Sequence, residues 1–154
     1  MTKNFDLSHI PVRAEKPRKS GLTMVMDKGL SIRECEDMID ASGEYIDIVK
    51  LGFGSSLITP LLDRKLAFFR EVGIPVYFGG TLLEAFIIRG QFDEYLRIVD
   101  KFKMEYAEVS DGSITMPHQE KCHYIHRLSK RLTVISEVGS KEEGILIRPN
   151  KWIE

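Results

Sequence analysis

The stretch YIDIVKLGFGSSL, residues 45–57, decides the fold. It begins with the run Tyr45–Leu51, which has the length of a buried strand and little polar alternation. Glycines and serines follow at once, as is typical of the loop after a strand in a βα unit. A helical pattern comes next, with apolar residues at helical spacing: Leu61, Leu62, Leu66 and Phe69. The segment therefore predicts one strand–loop–helix unit.

The same unit recurs along the chain. Five short apolar runs predict strands: Leu22–Met26, Tyr45–Leu51, Pro75–Phe78, Tyr106–Val109 and Leu132–Ser136. Four amphipathic segments between them predict helices: Ser31–Ala41, Pro60–Val72, Thr81–Phe102 and Pro117–Lys130. The third segment is expected to be two helices broken near Arg89 and Gly90. Strands that alternate with helices predict a parallel α/β fold of the TIM (β/α)8-barrel type or a doubly wound sheet.

Local signals predict where several helices begin and end. Ser31 and Glu34 have the spacing of a capping box, and Thr59 precedes Pro60 as a cap precedes an N1 proline. Gly73 stands where a helix C-cap glycine belongs. The fourth helix is expected to open at Pro117 and to bury one stripe of side chains: Cys122, Ile125 and Leu128.

Length predicts a partial barrel. Residues 1–20 are rich in charge and proline and are expected to form an N-terminal arm, with residues 21–154 as a domain of about five βα units. A complete barrel needs about 200 residues or more, so roughly three units are lacking. The exposed edges would be covered by missing sequence, by a second subunit or by a rearranged sheet, and we expect a homo-oligomer.

Composition excludes several classes of protein. The 22 basic and 23 acidic residues leave a net charge of −1, which argues against a nucleic-acid partner. No apolar run approaches a membrane span, and the polar N-terminus does not resemble a signal peptide. The two cysteines, Cys35 and Cys122, lie far apart without CxxC spacing. We therefore expect a soluble cytoplasmic protein.

Chemically active side chains follow the predicted strands. Lys50 lies at the end of an apolar run, where it could donate a proton, form a Schiff base, bind an anion or pair with a carboxylate structurally. Carboxylates at the ends of several strands could bind one Mg²⁺, although they could also be solvated loop acids or helix caps. These carboxylates are Asp27, Glu108, Asp111 and Glu137.

Glycine-rich loops follow three of the strands, at residues 52–56, 79–81 and 111–113. Glycine lets backbone N–H groups approach an anion closely, although tight barrel loops also use it for steric reasons. Three such loops on one face favour a phosphorylated or carboxylated ligand. The candidate binding residues are Gly52, Gly54, Ser55, Gly79, Gly80, Thr81, Ser110, Gly112 and Ser113.

Six stretches of the chain resemble the phosphosulfolactate synthase family. They are PVRAEKPRKSGLTMV (11–25), DKGLS (27–31), YIDIVKLGFGSSL (45–57), GIPVYFGGTLLE (73–84), EVSDGSI (108–114) and SEVGSK (136–141). The resemblance spans nearly the whole chain, in order and with similar spacing. It implies a TIM-barrel enzyme that adds sulfite to phosphoenolpyruvate with Mg²⁺, giving (2R)-phospho-3-sulfolactate. That product feeds coenzyme M synthesis in methanogens and sulfolactate formation in some spore-forming bacteria.

The resemblance also implies roles for the strand-end residues. Lys50 would protonate C2 of the intermediate, with Lys141 as the second choice. Glu108 and Glu137, with Asp27 or Asp111, would hold Mg²⁺. Backbone amides would hold the phosphate or the sulfite, at Gly79, Gly80 and Gly112.

Two other readings stay open. One is another aldolase-type or enolate-forming enzyme in which Lys50 forms a Schiff base, which borohydride would trap. The other is a truncated, non-catalytic family member that acts as a stress or interaction protein, because the family also includes plant heat-stress proteins. The chain departs from the family by ending after the fifth predicted strand, whereas barrel phosphate sites commonly use the loops after strands seven and eight.

Overall fold

A computed structural model describes residues 4–138, in which five strands alternate with five α-helices. The elements are β1 Met24–Asp27, α1 Ile32–Ser42, β2 Ile48–Leu51, α2 Leu62–Glu71, β3 Val76–Phe78, α3 Gly80–Ile87, α4 Phe92–Lys101, β4 Tyr106–Val109, α5 His118–Ser129 and β5 Thr133–Ser136. All five predicted strands are confirmed. The break of the third helical segment is confirmed as well, between α3 and α4.

All the strand pairs are parallel. Strands β1, β2 and β3 form one sheet in that order, β4 and β5 form a second, and β3 lies against β4. Parallel neighbours joined by helices are the arrangement that the alternating pattern predicts. The described residues are therefore an α/β structure, consistent with part of a TIM-barrel-like fold.

Strand register places chemically active side chains on one face. Lys50 of β2 is paired with Met26 on one side and with Tyr77 on the other. Directly paired residues of parallel strands project to the same face of a sheet, whereas their chain neighbours project to the other. The neighbours Val49 and Leu51 are 0% and 1% exposed and belong to the apolar core. Lys50 and Tyr77 therefore share a face.

Two apolar clusters support the sheets from behind. The smaller joins α1 and α2 to β2 through buried residues: Cys35, Ile46, Val49, Phe69 and Ile74. The larger joins α2–α5 to the strands and includes Leu66, Phe78, Leu83, Tyr95, Val99, Val109 and Leu128. Burying one such side chain contributes about 1.5–3 kcal/mol, so these clusters fix the positions of the strand ends.

Two predicted helix ends are confirmed. Ser31 caps α1: its hydroxyl accepts the Glu34 N–H at 3.2 Å, and the Glu34 carboxylate accepts the Ser31 N–H at 2.7 Å. Gly73 follows α2 with a φ of +69°, and its N–H donates to the Arg70 carbonyl at 3.1 Å. A side chain at Gly73 would be strained in this left-handed conformation.

The predicted start of α2 is wrong. The helix begins at Leu62, after Leu61 in a left-handed conformation, and no side chain caps it. The Thr59 hydroxyl instead donates to the Ser55 carbonyl at 2.8 Å, so it completes the 3-10 turn at Gly52–Leu57. The hydroxyl that the sequence assigned to the helix as a capping acceptor therefore acts as a donor in the local turn.

The predicted buried stripe of α5 is also partly wrong. Leu128 is buried, but Cys122 is exposed and its neighbour Lys121 is only 2% exposed. The Lys121 ammonium donates to Asp111 and to the Glu137 carbonyl, both at 2.7 Å. These two bonds turn the lysine inward, and the adjacent cysteine consequently faces outward.

The N-terminal arm is held by an acidic residue at the start of β2. The Asp47 carboxylate accepts hydrogen bonds from Arg13 at 3.1 Å, from Arg18 at 2.8 Å and from the Thr23 N–H at 2.8 Å. The side chains of Arg18 and Asp47 are only 4% and 6% exposed. Burial raises the pKa of Asp47, but these donors outweigh it and hold the pKa below its ordinary value. The division at residue 20 between arm and domain stays a prediction.

None of the helices within residues 4–138 is both long enough and apolar enough to cross a membrane.

Replacing Asp47 should destabilise the fold. Asp47→Asn leaves the buried Arg18 guanidinium without its counter-charge, and we expect a loss of about 3 kcal/mol at pH 7. The wild-type contribution should be complete above the ordinary aspartate pKa of about 3.9 and should vanish as pH falls through the lower folded-state value. Urea unfolding of both proteins between pH 7 and pH 2.5 measures the difference, which should shrink towards acid.

The control is Asp100→Asn, because Asp100 pairs with Arg131 where both side chains are 59% exposed. This variant should change the free energy of unfolding by less than about 1 kcal/mol. Equal losses in the two variants would contradict a structural role for the Asp47 cluster.

Candidate active site

Lys50 and two glutamates meet at the carboxyl ends of the strands. The Lys50 ammonium lies 2.6 Å from Glu108 Oε1 and 3.5 Å from Glu137 Oε2. Strand β2 carries the lysine, β4 carries Glu108, and Glu137 directly follows β5. Three of the residues singled out from the sequence are thus brought together, although Glu108 lies 58 positions from Lys50.

Glu108 is held as a buried carboxylate. Its Oε1 also accepts the Gly80 N–H at 2.9 Å, and its Oε2 accepts the Tyr77 hydroxyl at 3.1 Å. Burial raises the pKa of Glu108, but the hydrogen bonds from Lys50 and Gly80 outweigh it and lower the pKa below its ordinary value. Glu108 is therefore ionised at neutral pH, and it presents a fixed negative charge to Lys50.

The sequence analysis missed Tyr77. Its side chain is 1% exposed, and its hydroxyl donates to Glu108. Burial and then the adjacent Glu108 carboxylate raise the pKa of Tyr77, so the hydroxyl keeps its proton and acts as a donor. The only sequence signal was a tyrosine in an apolar run, two positions before a glycine pair.

Gly79 and Gly80 let these groups approach the backbone. A Cβ at Gly79 would lie 2.9 Å from Lys50 Cε and 3.0 Å from the Leu51 carbonyl oxygen. A Cβ at Gly80 would collide with the Ser110 side chain and lie 3.0 Å from Glu108 Oε1. These contacts give the glycine pair a steric role. Anion binding by their amides stays a prediction, and the Gly80 N–H already donates to Glu108.

The loop after β2 forms the 3-10 turn Gly52–Leu57, which contacts β3 and α3. Gly54 has a φ of +68°, and Phe53 adopts a similar left-handed conformation although it is not a glycine. A Cβ at Gly52 would lie 2.7 Å from the Met26 side chain, so close packing requires this glycine too. Ser55 lies within the turn and is partly exposed. Thr81 in the first turn of α3 is partly exposed as well.

The loop after β4 binds a carboxylate that the sequence analysis missed. Glu84 of α3 is 1% exposed, and it accepts hydrogen bonds from the Ser110 hydroxyl, the Gly112 N–H at 3.1 Å and the Ser113 N–H at 3.0 Å. These are donors that the sequence assigned to a substrate anion. They bind an anion, but that anion belongs to the protein.

Asp27 lies at the end of β1 and does not take part in the contacts of Lys50 and Glu108. It is fully buried, and its Oδ2 accepts the Lys65 ammonium at 2.7 Å. Its Oδ1 accepts the N–H groups of Gly29 and Leu30, both at 2.7 Å. This carboxylate therefore joins β1 and its loop to α2. Cys35 Sγ lies 3.9 Å from Oδ2, and burial raises the pKa of that thiol to about 11.

Asp111 is likewise paired with a buried lysine. Its Oδ1 accepts the Lys121 ammonium at 2.7 Å, with side-chain exposures of 8% and 2%. Because the same ammonium donates to the Glu137 carbonyl, this pair joins the loop after β4 to the end of β5. Lys141, the second candidate proton donor, lies outside residues 4–138.

The four candidate metal ligands thus differ in availability. Asp27 and Asp111 bind buried lysines, Glu108 binds three donors, and the Glu137 side chain is 35% exposed. No group of three His, Cys, Asp or Glu residues is placed to hold a metal between residues 4 and 138. Mg²⁺ commonly takes one or two carboxylates and completes its shell with water and substrate oxygens. Glu137 with Glu108 fits that donor set.

Comparison with known proteins gives a consistent result. The family model described as (2R)-phospho-3-sulfolactate synthase (ComA) matches residues 11–154. The chain is 37% identical to the phosphosulfolactate synthase of Bacillus subtilis (strain 168) over 94% of its own length and 58% of that protein. It is 40% identical to the phosphosulfolactate synthase of Methanocaldococcus jannaschii over 79% of its length and 49% of that protein. It is 33% identical to that of Methanothermobacter thermautotrophicus over 91% and 56%.

The chain spans about half the length of the curated relatives that it matches. The family model nevertheless covers almost all of it, including the strand ends that carry Lys50, Glu108 and Glu137. The chain therefore belongs to the (2R)-phospho-3-sulfolactate synthase (ComA) family.

Proposed function

We propose that this chain carries the catalytic face of a lyase that adds sulfite to phosphoenolpyruvate, giving (2R)-phospho-3-sulfolactate. The supporting observation is the Lys50 ammonium, 2.6 Å from Glu108 and 3.5 Å from Glu137 at the carboxyl ends of the strands. In parallel βα folds this edge carries the active site. Membership of the family supports the choice of substrates.

The reaction needs a proton donor. The sulfur lone pair of sulfite forms a bond to C3 of phosphoenolpyruvate, and the π electrons of the C2–C3 double bond move into the carboxylate to give an enediolate. The Lys50 ammonium then transfers a proton to C2, and the resulting amine recovers a proton from water. The Lys50 ammonium forms a 2.6 Å ion pair with Glu108, and a side chain held in this contact suits a proton donor better than a Schiff-base nucleophile.

Magnesium would be held by Glu137 with the help of Glu108. The ion supplies positive charge that stabilises the enediolate formed from the substrate carboxylate. Glu137 is the most exposed of the four candidate carboxylates, and its contact with Lys50 is long at 3.5 Å, so it can reach a cation more easily than the carboxylates held at 2.7 Å. Coordination by Asp27 or Asp111 would first require the separation of a buried ion pair with Lys65 or Lys121.

The phosphate or sulfite would bind near the loop after β2. Gly52, Gly54 and Ser55 lie in that loop, and Thr81 lies across from it on α3. Glycine-rich turns present N–H groups to anions, and hydroxyl groups add donors. The Ser110–Ser113 loop is a weaker candidate, because its donors already bind Glu84.

We further propose that the five described strands are the first five of a (β/α)8 barrel. The parallel pairing and the βα alternation support this. The outer edges of β1 and β5 would then be covered by further strands of a longer chain or by another copy in a cytoplasmic homo-oligomer.

Loss of Lys50 should slow turnover strongly. The purified wild-type protein should consume phosphoenolpyruvate only when sulfite and Mg²⁺ are both present. ³¹P NMR measures the loss of phosphoenolpyruvate and the appearance of the product. We expect kcat to fall by about 10²–10⁴ in Lys50→Met, because a general acid typically contributes that much. Lys50→Arg keeps the charge but should also be slow, since a guanidinium releases its proton poorly.

The matched control is Lys101→Met, an exposed residue at the end of α4, where the chain leads to the amino end of β4. It should keep wild-type kcat, and circular dichroism should show that all variants are folded. Full activity in a folded Lys50→Met variant would reject the assignment of Lys50. Borohydride inactivation in the presence of a carbonyl substrate would instead favour the aldolase-type alternative.

Weakening the proposed metal site should raise the Mg²⁺ requirement. Chelation with EDTA should abolish turnover and added Mg²⁺ should restore it. Glu137→Gln should raise the half-saturating Mg²⁺ concentration by about tenfold or more, because a neutral amide replaces a charged ligand. Electron paramagnetic resonance of Mn²⁺, used as a probe of the same site, measures metal affinity without turnover, and that affinity should fall in Glu137→Gln.

The control is Glu71→Gln, an exposed glutamate at the end of α2, where the chain leads to the amino end of β3. Its Mg²⁺ dependence should equal that of the wild type. EDTA-resistant turnover, or identical Mn²⁺ affinity in Glu137→Gln, would contradict a metal site at Glu137.

A further inference from the structure

Glu84 is a buried carboxylate that the proposed chemistry does not use directly. It lies in the second turn of α3, and its side chain is almost fully enclosed. Its three donors are the Ser110 hydroxyl and the backbone N–H groups of Gly112 and Ser113, all from the loop that follows β4. One side chain therefore binds three of the four successive loop residues 110–113.

The burial of this group requires those bonds. A carboxylate removed from water loses several kcal/mol of solvation unless donors replace the water. Hydrogen bonds that involve an ionised group are about twice as strong as neutral ones. The loop therefore has one strongly preferred arrangement, in which the donors of residues 110, 112 and 113 converge on Glu84.

Further contacts connect this loop to Lys50. Asp111 lies between the residues that Glu84 holds, and its carboxylate accepts the Lys121 ammonium at 2.7 Å. Lys121 donates a second bond of 2.7 Å to the Glu137 carbonyl. The Glu137 carboxylate lies 3.5 Å from the Lys50 ammonium. A continuous series of contacts thus links Glu84 to Glu137 and Lys50.

We propose that Glu84 is a positioning residue for the Lys50–Glu137 pair and acts through the Ser110–Ser113 loop. This inference rests on the proposed function, because Lys50 is the proton donor there. The carboxylate of Glu84 occupies the anion-binding arrangement of the loop and keeps it formed before substrate arrives. The loop therefore supports the site and does not bind the substrate phosphate.

The test variant is Glu84→Gln in the purified protein. Its side chain keeps the volume of glutamate, but its NH2 group faces donors and cannot accept their bonds. We expect amide hydrogen exchange at residues 110–116 to accelerate by at least about fivefold, while peptides from α1 stay unchanged. We also expect kcat to fall by about tenfold to a hundredfold, because misplacement of about 1 Å can cost that much. The KM for phosphoenolpyruvate should change by less than about threefold, since Glu84 does not contact substrate.

Ser110→Ala is the second variant, because it removes one donor and keeps the carboxylate. It should accelerate exchange at residues 112 and 113 by a smaller factor, and it keeps the test decisive if Glu84→Gln does not fold. Glu94→Gln is the matched control, since it makes the same chemical change at an exposed glutamate of α4 that pairs with Arg97. Both its exchange and its kcat should equal those of the wild type.

Two results would overturn the inference. Unchanged amide exchange at residues 110–116 in either Glu84→Gln or Ser110→Ala would show that Glu84 does not hold the loop. A large rise in KM with unchanged kcat would show that the loop binds substrate. The exchange measurement does not need turnover, so a wild-type protein without sulfite-dependent activity would reject the proposed function and leave the loop assignment to be decided by exchange alone.

Discussion

The ion pair between Lys50 and Glu108 is the contact on which the arrangement of the strand ends depends. It joins β2 to β4 at 2.6 Å, and so links the three-stranded sheet to the two-stranded one. Both side chains are nearly buried, and a buried charge is tolerated only when partners replace its water. Tyr77 and the Gly80 N–H complete the shell of Glu108. Glycine at positions 79 and 80 is required because the pair lies against the backbone there.

Two further lysine–carboxylate pairs lie elsewhere near the strand ends and have a different consequence. Asp27 with Lys65 and Asp111 with Lys121 are each enclosed, and each joins the end of a strand to a following helix. Removing one partner from such a pair would leave an uncompensated buried charge, which costs several kcal/mol. These pairs therefore act as rigid supports. The Lys50–Glu108 pair differs, because Lys50 also contacts Glu137, whose side chain is 35% exposed.

The sequence predicted the elements well and the contacts unevenly. Apolar runs and helical spacing are local signals, so the five strands and the α3–α4 break were predictable. Lys50, Glu108 and Glu137 were predictable as a group because carboxyl ends of parallel strands share one edge. Glu84 was not, because in LLEAF it resembles any helical glutamate, and its burial depends on a loop 26–29 residues later. The inward turn of Lys121 was missed for the same reason, since its partner Asp111 lies on another element.

The role of the glycine-rich loops shows why composition alone could not assign an anion site. Backbone N–H groups bind a substrate phosphate and an internal carboxylate by the same geometry, so the sequence signal is identical for both. The state of the donors separates the two cases: the loop after β4 already binds Glu84, a carboxylate that is only 1% exposed, whereas Ser55 and Thr81 are partly exposed. An incoming anion would have to displace the buried Glu84 carboxylate from the loop after β4. At the loop after β2 and the first turn of α3 it would have to displace only water. This difference in cost supports the proposal that substrate binds on the side of β2 and α3, and that the β4 loop positions Lys50 without binding substrate.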